Sequence, residues 1–521
     1  MTDRRAGRAQ DVGGALWSAR SSRAPRAPIA GDLEVDVAVI GGGIVGVSAA
    51  MLLATEDQSV ALLEAHRIGD GNTGLSTAKA SLFHGMNFAS LIDEVGEDSA
   101  RDIVNGERAA LDVISKWATE LDVADAAVPV WHWAYASTED GFSTLEGEAE
   151  AAATLGVETR WADAGECPFG ERALGVAAQL NIDPVVLLEA FADRAERQGA
   201  QIFEQTRVTD MEFGDTCVLS TESGPVVRAR HVVVATQLPI FDRSMVWAGS
   251  QYKRSHVVAL AHPGAYELAP EMYTGVDPDT LSVRPARDVD GTPLIIAAGQ
   301  GHSLDTDEDG THVAKLEQAA RELTGGGELR RAWLAHDVFP SDGHPFVGPI
   351  HGHDNVHVAT GFGGWGLAAG VSASLAITGL IVRGHARWHD AMSATRLGPY
   401  VKPSTIKEGV KTVVDFVRDR VSPDDESEVP ELAPGTGLVA KLDGRMVAIA
   451  RDRDGAIRAV DATCTHQGCI VRHEPERACW QCPCHGSRFS LDGTVLQGPA
   501  IKPLERVDVT ELELPGATRV E

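Results

Sequence analysis

With 521 residues, of which 43% are hydrophobic and 23% charged, the chain has the composition of a soluble globular protein and the length of about three folding units. It contains no run of 18 or more apolar residues, so the sequence predicts that it is not an integral membrane protein. Its net charge of −29 at pH 7 would repel the phosphate backbone of nucleic acids, which argues against nucleic acid as a partner.

The first 30 residues are rich in arginine, alanine, serine and proline and show no helical or strand periodicity. Residues 1–30 are therefore predicted to form a flexible N-terminal arm. The start is basic, but small and polar residues follow it where a secretory signal would have an apolar core. A cytoplasmic location is expected.

A strand, a helix and a second strand open the ordered part of the chain. The patterns predict a strand over residues 35–40, a helix over 44–54 and a strand over 60–63 that ends at Glu64. The turn before the helix reads Gly41-Gly-Gly-Ile-Val-Gly46, and Glu64 follows Gly46 by 18 residues. Such glycines let the backbone approach a pyrophosphate at a helix N-terminus, and the acid accepts hydrogen bonds from a ribose. The motif predicts a dinucleotide site and leaves NAD and FAD as alternatives.

Later segments extend this pattern. Residues 232–236 and 356–360 are apolar strands that would continue the same parallel sheet, residues 91–160 are predicted to be mainly helical, and residues 250–300 alternate strands with turns. A second glycine string, residues 361–366, also follows a strand and opens a helix, but no acid stands about 20 residues beyond it. We expect this helix N-terminus to face the cofactor ring, with a glycine-rich packing turn as the alternative.

The last part of the chain carries most of the cysteines. Apolar residues at helical spacing and then a charged, proline-containing stretch predict a helix and linker over residues 396–430, followed by a new domain over 431–521. Five of the seven cysteines lie between Cys464 and Cys484. In a cytosolic protein, such clustering indicates metal binding rather than a disulfide framework.

Two pairs of cysteine and histidine stand in this last domain. The first pair is Cys464 and His466, and the second pair is Cys482 and His485. Fifteen residues separate the two pairs. A [2Fe–2S] centre with two thiolates on one iron and two imidazoles on the other needs this ligand set. A Cys₂His₂ zinc site would use the same ligand types and is the alternative.

The sequences around these ligands resemble the two cluster-binding loops of the Rieske family. The loops read Cys-Thr-His-Gln-Gly-Cys (464–469) and Cys-Pro-Cys-His-Gly-Ser-Arg-Phe (482–489), and Gly498-Pro-Ala resembles the proline loop that covers the cluster. The resemblance implies a [2Fe–2S] cluster held by Cys464, His466, Cys482 and His485. It also implies a disulfide between Cys469 and Cys484, for which Cys479 is a rival partner.

Two further positions in this domain concern the reduction potential. Ser487 matches the family serine whose hydroxyl donates to a cluster sulfur, and Phe489 stands where high-potential members carry a tyrosine. With one donor kept and one absent, an intermediate potential is expected.

Residues 34–395 resemble the D-amino-acid oxidase superfamily of FAD enzymes. Besides the first glycine turn, the resemblance rests on Gly74-Leu-Ser-Thr-Ala-Lys79 followed by His84, on Asp183-Pro184, on the strand at 232–236 and on residues 342–348 ahead of the second glycine string. In this superfamily, one dinucleotide fold is interrupted by a sheet domain that covers the flavin. The implied fold class is an α/β FAD-binding Rossmann-like domain with an inserted α+β substrate domain, plus a C-terminal all-β Rieske domain.

The implied boundaries make the FAD-binding domain discontinuous. It is predicted over residues 31–90, 160–235 and 335–395, with the substrate domain over 91–159 and 236–334. The resemblance implies FAD. His84 resembles positions that carry a covalent flavin link in some relatives, but the surrounding sequence differs, so noncovalent FAD is predicted. The residues expected to bind it are Gly41, Gly43, Ile44, Gly46, Glu64, Thr73, Ala235, Gly361, Gly363, Trp365 and Gly366.

Three residues are candidates for catalysis. Arg284 would clamp a substrate carboxylate, with a structural ion pair as the alternative, while His84 is expected near the flavin ring and His302 is a further candidate, each with a packing role as the alternative. The resemblance implies an oxidoreductase that takes two electrons from a small, amine-bearing substrate and passes them singly through the Rieske centre to another protein. A reductase in which electrons run from the cluster to FAD and a non-catalytic redox sensor are the alternatives.

Overall fold

We describe the protein from a computed structural model of the chain, which describes residues 14–20, 23–84, 86–303, 311–401, 432–442, 444–475 and 477–508. By packing, the chain divides into two units. The first lies within residues 1–246, 253–302 and 307–397, and the second within residues 247–252, 303–306 and 398–521. Most of the helix and linker predicted over 396–430 lies outside the described residues, which stop at 401 and resume at 432.

The strands are numbered in chain order. Up to residue 360 they are β1 (Leu33–Ile40), β2 (Val60–Leu63), β3 (Lys79–Ala80), β4 (Ala127–Ala136), β5 (Arg160–Trp161), β6 (Arg172–Ile182), β7 (Gln201–Phe203), β8 (Val208–Glu212), β9 (Cys217–Thr221), β10 (Val226–Val234), β11 (Ser250–Ala261), β12 (Met272–Gly275), β13 (Ser282–Arg287), β14 (Pro293–Ser303), β15 (Glu328–Pro340), β16 (Phe346–Ile350) and β17 (His353–Thr360). In the C-terminal part they are β18 (Thr436–Leu442), β19 (Arg445–Arg451), β20 (Ile457–Asp461), β21 (Arg472–Glu474), β22 (Cys479–Gln481), β23 (Arg488–Ser490) and β24 (Val495–Gln497).

The α-helices are numbered in the same way. They are α1 (Ile44–Thr55), α2 (Asn72–Leu75), α3 (Phe88–Val95), α4 (Glu97–Glu120), α5 (Glu139–Thr154), α6 (Pro184–Arg197), α7 (Ala265–Leu268), α8 (His312–Thr324), α9 (Gly366–Arg383) and α10 (Gly398–Val401). Their starts follow local chemistry, as α6 shows: the Asp183 carboxylate accepts from the Val186 N–H, and Pro184 supplies a first helical residue that needs no N–H partner.

The first sheet of the first unit has the strand order β16-β17-β10-β1-β2-β7, to which β8 and β9 add a hairpin beside β10. Pairing is parallel between β1, β2, β7, β10 and β17. Four of these strands are short apolar runs, such as residues 37–40 of β1, because both faces of a parallel sheet are covered. Parallel pairing also brings the carboxyl ends of β1, β2, β10 and β17 to one edge of the sheet.

Small residues let the helices of this layer pack closely. A Cβ atom at Gly370 of α9 would lie 3.1 Å from side-chain atoms of both Ile44 and Val45 of α1, and the Ser374 hydroxyl donates to the Val45 carbonyl at 3.0 Å. Within the described residues, α9 is the one helix long and apolar enough to cross a membrane, and 67% of its residues are buried in the protein interior.

The second sheet of the first unit is mostly antiparallel, with the order β15-β11-β14-β13-β12-β4-β6-β3 and with β5 beside β6. Its strands β11 to β14 are those predicted between residues 250 and 300. One of its faces packs into the core shared with the first sheet, while the other covers a separate cluster around Trp133, Tyr273 and Phe169. The fold class predicted for this part of the chain is therefore confirmed.

One predicted assignment in the first unit is wrong. Residues 160–182 were assigned to the FAD-binding domain, but β5 and β6 belong to the second sheet because β6 pairs with β4 from Ala127 to Ala136. The prediction that residues 91–160 are mainly helical agrees with α3, α4 and α5, but it did not include β4. The aromatic and β-branched residues of β4 favour a strand, and its pairing partners lie on the distant strands β6 and β12.

The prediction of a flexible arm over residues 1–30 does not hold for the described part of that segment. Leu16 and Trp17 are fully buried, and the Trp17 indole donates to the Ser76 carbonyl at 2.9 Å. Arg26 forms ion pairs with three acidic residues of α6, at 2.9 Å from Glu189, 3.0 Å from Asp193 and 3.1 Å from Glu196. Composition missed this packing because the partners are distant in sequence.

The second unit contains two small antiparallel sheets, β18-β19-β20 and β21-β22-β23-β24. Each has its own apolar cluster. The cluster beside the second sheet includes Trp480 and Phe489 and also Cys464, Cys469 and Cys482. The all-β character predicted for this domain is confirmed.

Candidate functional site

The turn that joins β1 to α1 has no room for side chains. Gly41 has a φ of +109°, which strains other residues, and a Cβ atom there would lie 2.6 Å from the Ala235 carbonyl oxygen. A Cβ atom at Gly46 would overlap the Gly41 carbonyl oxygen. These positions leave the N-terminus of α1 open at the carboxyl edge of the first sheet, as a pyrophosphate would need.

Two polar side chains complete this cradle. The Thr73 hydroxyl accepts from the Ile44 N–H at 3.0 Å and lies 3.2 Å from the position of a Cβ atom on Gly43. The Glu64 carboxylate accepts from the Gly42 N–H at 2.6 Å and from the His66 N–H at 2.7 Å. Burial raises the pKa of Glu64, and the two N–H groups oppose that shift. Each carboxylate oxygen keeps a lone pair that a ribose hydroxyl can use.

The second glycine turn lies at the same edge of the sheet, because β17 runs parallel to β10. Gly361, Gly363 and Gly364 all have positive φ, and the Gly363 N–H donates to the Val338 carbonyl at 3.0 Å. Trp365 immediately precedes α9, which begins at Gly366. The structure therefore places the residues expected to bind FAD from both glycine strings at one sheet edge, and the glycine cradle fits a dinucleotide.

A group of basic and aromatic side chains lies around Trp365. We call Lys79, His84, His132 and Trp365 the Lys79 cluster. The ring of His84 stacks on Trp365 at 5.2 Å between centroids, the ring of His132 lies 5.4 Å from it, and the Lys79 ammonium lies 5.6 Å from it. Lys79 belongs to β3 and His132 to β4, so the second sheet supplies these two side chains while Trp365 follows the first sheet.

Burial determines the charge of this cluster. It lowers the pKa of Lys79 to about 7, with a further contribution from the Arg284 cation, and it lowers the pKa of His132 well below its ordinary value. Lys79 donates to the Tyr273 carbonyl at 3.1 Å and also contacts the Ser282 hydroxyl. At pH 8 both groups are thus predominantly neutral, so the cluster disfavours additional positive charge.

His84 differs from its neighbours in having an acidic partner. Its Nε2 atom lies 3.3 Å from the carboxylate of Glu107, a buried residue of α4. The His84 side chain is 18% exposed, so a small molecule can reach the ring. The carboxylate lies close enough to orient the ring electrostatically, although Nε2 makes no hydrogen bond among the described residues.

The structure places Arg284 differently from the predicted carboxylate clamp. Its guanidinium donates to backbone carbonyl groups, at 3.1 Å to both Ile182 and Pro285, and also to the Ala78 carbonyl. Burial lowers its pKa to about 10. Because these donors are directed at the backbone, the side chain braces the second sheet against the segment before β3. A substrate carboxylate would have to displace those carbonyl groups.

His302 also lies apart from the Lys79 cluster. Its ring stacks with those of His256 and His312, at centroid distances of 5.2 and 4.2 Å. Of the three catalytic candidates, the structure therefore brings only His84 to Trp365.

Sequence reasoning missed several residues of this site. Lys79 is the last residue of the Gly74–Lys79 motif. The signal for its role was that it is a lone lysine within a run of small and apolar residues. His132 and Glu107 gave no signal. Asp337 was also missed: its buried carboxylate accepts from the Asn72 amide at 3.3 Å, and burial raises its pKa to about 6.

In the second unit, the four predicted metal ligands converge on two loops. The Cys482 thiol hydrogen-bonds to Cys464 and lowers the pKa of Cys464 to about 7, while the same contact raises that of Cys482 because one thiol of such a pair ionises first. Backbone N–H groups of the loops also point at both sulfur atoms, as thiolate ligands require.

The two histidines fit a metal cluster equally well. Burial lowers the pKa of His466 to about 4 and that of His485 to about 3, so both rings are neutral, the form that binds metal. The rings lie 4.9 Å apart. Among the described residues, neither buried Nδ1 atom has a hydrogen-bond partner. Two thiols and two orphaned imidazole nitrogens are the donor set of a [2Fe–2S] centre with mixed ligands.

Neighbouring residues support this site. The Ser487 hydroxyl hydrogen-bonds to Cys464 and accepts from the Ala500 N–H at 3.0 Å, which ties the proline loop to the ligand loop. Phe489 is fully buried. The Sγ atoms of Cys469 and Cys484 lie at bonding distance, with their Cα atoms 6.6 Å apart.

The dinucleotide cradle and the cysteine–histidine site define the class of protein as an FAD-dependent oxidoreductase that carries a [2Fe–2S] cluster. The chain belongs to the family described as FAD dependent oxidoreductase, which matches residues 36–380, and it carries a Rieske [2Fe-2S] domain, which matches residues 424–509. The predictions of the family, of an oxidoreductase and of both cofactors are confirmed.

Individual proteins are similar either to most of the chain or to one of its two parts. The Rieske 2Fe-2S iron-sulfur protein YhfW of Bacillus subtilis (strain 168) is 30% identical over 92% of this chain and 94% of its own length. The cytochrome b6-f complex iron-sulfur subunit 1 of Synechocystis sp. is 39% identical over 17% of this chain and 51% of its own length. L-proline dehydrogenase from P. horikoshii has the same fold as 70% of this chain, with a TM-score of 0.59, 18% identity and 98% of its own length covered.

Replacing a predicted ligand should remove the cluster and leave the flavin. We expect Cys464→Ala to lose the two iron atoms that a [2Fe–2S] cluster contains, because one iron would lose a thiolate, while FAD content stays unchanged in the other unit. Iron analysis and flavin absorbance measure this. Cys479→Ala is the control, since Cys479 is equally buried in the same unit and is not a predicted ligand. Equal iron in both variants would contradict the assignment.

The buried Lys79 should make stability depend on pH. Its folded pKa of about 7 lies below the ordinary lysine pKa of 10.5, so between these values the unfolded chain binds more protons and stability rises with pH. Relative to Lys79→Met, the wild-type free energy of unfolding should rise by up to about 1.4 kcal/mol per pH unit between pH 7.5 and 9.5. Urea denaturation measures this.

Lys116→Met is the control for that comparison, because the Lys116 side chain is 69% exposed. The change in the free energy of unfolding that Lys116→Met causes should be the same at every pH in this range. A constant difference between wild type and Lys79→Met would mean that Lys79 is not buried as a neutral amine.

Proposed function

We propose that this enzyme oxidises a small amine or amino acid and delivers the electrons singly, through its Rieske domain, to a separate protein. FAD, when bound, supplies a two-electron acceptor, and the [2Fe–2S] cluster supplies a one-electron carrier. The observation that carries the substrate proposal is the Lys79 cluster, in which burial disfavours the charged forms of Lys79 and His132 beside Trp365.

The charge of this cluster supports an amine substrate. An amine must lose its ammonium proton before the adjacent C–H bond can be oxidised, and a site that disfavours positive charge promotes that loss. His84 is suited to accept the proton, because its ring is partly exposed beside Trp365 and the Glu107 carboxylate lies 3.3 Å from Nε2, where it would pair with the imidazolium. L-proline dehydrogenase, which shares the fold, also supports this class of substrate.

Other residues have positioning roles in this proposal. His132 contacts Ser81 at 2.8 Å through Nδ1 and Thr274 at 2.9 Å through Nε2, so both of its nitrogens are occupied. The ring therefore connects β4 to β12 and to the residue that follows β3. Lys79, on β3, connects to β12 through the Tyr273 carbonyl and to β13 through the Ser282 hydroxyl.

An anaerobic screen of amines and amino acids tests the substrate class. We expect a small amine to bleach the FAD absorbance of the wild-type enzyme. In His84→Gln, the bleaching rate at pH 7 should fall about 100-fold, as expected for loss of a general base, and the deficit should shrink at higher pH, where the substrate deprotonates unaided.

His351→Gln is the control for the screen, since His351 is an exposed residue outside the Lys79 cluster. Its pH profile should match that of the wild type. Failure of every amine to bleach the flavin would refute the substrate proposal, and an unchanged pH profile in His84→Gln would refute the role of His84 alone.

The second part of the proposal concerns the electron acceptor. A reduced flavin can give both electrons to oxygen unaided, so a one-electron centre in the same chain favours a different acceptor. The similarity of the Rieske domain to a cytochrome b6-f complex subunit also favours a protein acceptor. Tethering in one chain keeps the two centres at high effective concentration.

Rapid mixing of Cys464→Ala and Cys479→Ala with substrate tests the route. Both variants should bleach the flavin, but only Cys479→Ala should reduce a one-electron haem-protein acceptor at the wild-type rate. If Cys464→Ala keeps that activity, or if wild type forms peroxide as fast as it consumes substrate, the proposed route is wrong. Product formation driven by a chemically reduced cluster would instead favour a reductase.

We also propose that Cys469 and Cys484 form a disulfide that joins the two ligand loops. Their Sγ atoms lie at bonding distance, and the resemblance to Rieske proteins pairs the same positions. Alkylation of the unfolded protein followed by mass spectrometry should label five cysteines without reductant and all seven after reduction. Seven labels without reductant would refute the bond.

A further inference from the structure

Three histidines from separate elements of the first unit meet at one point, away from the Lys79 cluster. We call His256, His302 and His312 the three-histidine site. His256 lies on β11, His302 lies near the end of the neighbouring strand β14, and His312 is the first residue of α8. One ring nitrogen of each lies within 4.8 Å of a ring nitrogen of the other two.

The contacts between the rings are close. The Nε2 atoms of His256 and His302 are 3.0 Å apart. The His256 and His312 rings lie 5.1 Å apart, and those of His302 and His312 lie 4.2 Å apart. His256 is buried, whereas His302 and His312 are half-buried, so solvent reaches one side of the site.

We propose that the three-histidine site binds a divalent first-row transition metal, with zinc as the best-suited ion. Imidazole nitrogen is a preferred ligand of zinc and of its neighbours in that row, whereas magnesium and calcium prefer oxygen. Three imidazoles also match the protein ligand set of zinc sites that keep one coordination position open for water or another ligand.

The three ring nitrogens lie near the spacing that a metal requires. With bonds of about 2.0–2.1 Å, the nitrogens of a tetrahedral zinc site lie about 3.3 Å apart. The Nε2 atoms of His256 and His302 are slightly closer than this, and the ligand atoms of all three residues lie within 4.8 Å of one another. The rings are stacked, with 13° to 23° between their planes, so metal binding requires them to turn about their side-chain bonds until the three nitrogens face one ion.

A metal here would join two strands and a helix. Because β11 and β14 are neighbours in the second sheet and α8 follows β14 in the chain, the ion would cross-link the end of the sheet to the first turn of α8. The site is chemically distinct from the Rieske centre, since it contains no sulfur ligand. It also gives His302 a role that does not depend on the proposed substrate.

Zinc titration of the purified holoenzyme tests the proposal. We expect one zinc per chain to bind beyond the iron, with micromolar or tighter affinity by calorimetry, and magnesium not to compete at 1000-fold excess. His256→Gln and His302→Gln should each weaken zinc binding about 100-fold or more. His351→Gln is the matched control and should bind zinc as wild type does.

X-ray absorption at the zinc edge identifies the ligands independently of the variants. Only nitrogen or oxygen ligands with imidazole scattering should appear, and the same spectrum should appear in Cys464→Ala. Sulfur ligands would place the zinc at the cysteines and overturn the proposal. So would the absence of stoichiometric binding, or undiminished binding in both histidine variants with normal FAD content. If a variant does not fold, the wild-type spectrum and stoichiometry decide.

Discussion

A Cβ atom on Gly41 would lie 2.6 Å from the Ala235 carbonyl oxygen, so β1, β10 and α1 can meet only where no side chain intervenes. This contact determines where the cofactor site of the first unit lies. It places the N-terminus of α1 at the carboxyl edge of the sheet, where Thr73 and Glu64 accept hydrogen bonds from backbone N–H groups of the turn. Close packing of Gly370 against α1 then aligns α9, whose preceding glycine turn reaches the same edge. The cofactor site is thus a consequence of backbone packing.

The Lys79 cluster illustrates a cost that a functional site can carry. Desolvation of Lys79 and His132 is energetically unfavourable and disfavours their charged forms. Hydrogen bonds to neighbouring strands nevertheless hold both side chains in place. The same desolvation that reduces stability near neutral pH creates surroundings in which an amine is held without its proton. Desolvation of these side chains therefore affects both the stability of the protein and the proposed chemistry.

In the second unit, the metal ligands are part of the core. Cys464 and Cys482 belong to the same apolar cluster as Trp480 and Phe489, and two buried imidazole nitrogens have no partner among the described residues. Leaving such groups unsatisfied is unfavourable, and a bound cluster satisfies all four at once. Metal binding and folding of this small unit should therefore be coupled.

The amino-acid sequence by itself determined the features that depend on neighbouring residues. The turn at Gly41–Gly46 and the two Cys–His loops are short, so their residues are sufficient to indicate a dinucleotide site and, through the resemblance to the Rieske loops, an iron–sulfur cluster. Arg284, His302 and Lys79 could not be assigned in this way. Arg284 donates to carbonyl groups about 100 and 200 residues away, and Lys79 is buried by Tyr273 and Ser282, nearly 200 residues beyond it. Only the tertiary structure decided their environments, because burial and charge depend on which strands pair, and pairing joins segments that are distant in the chain.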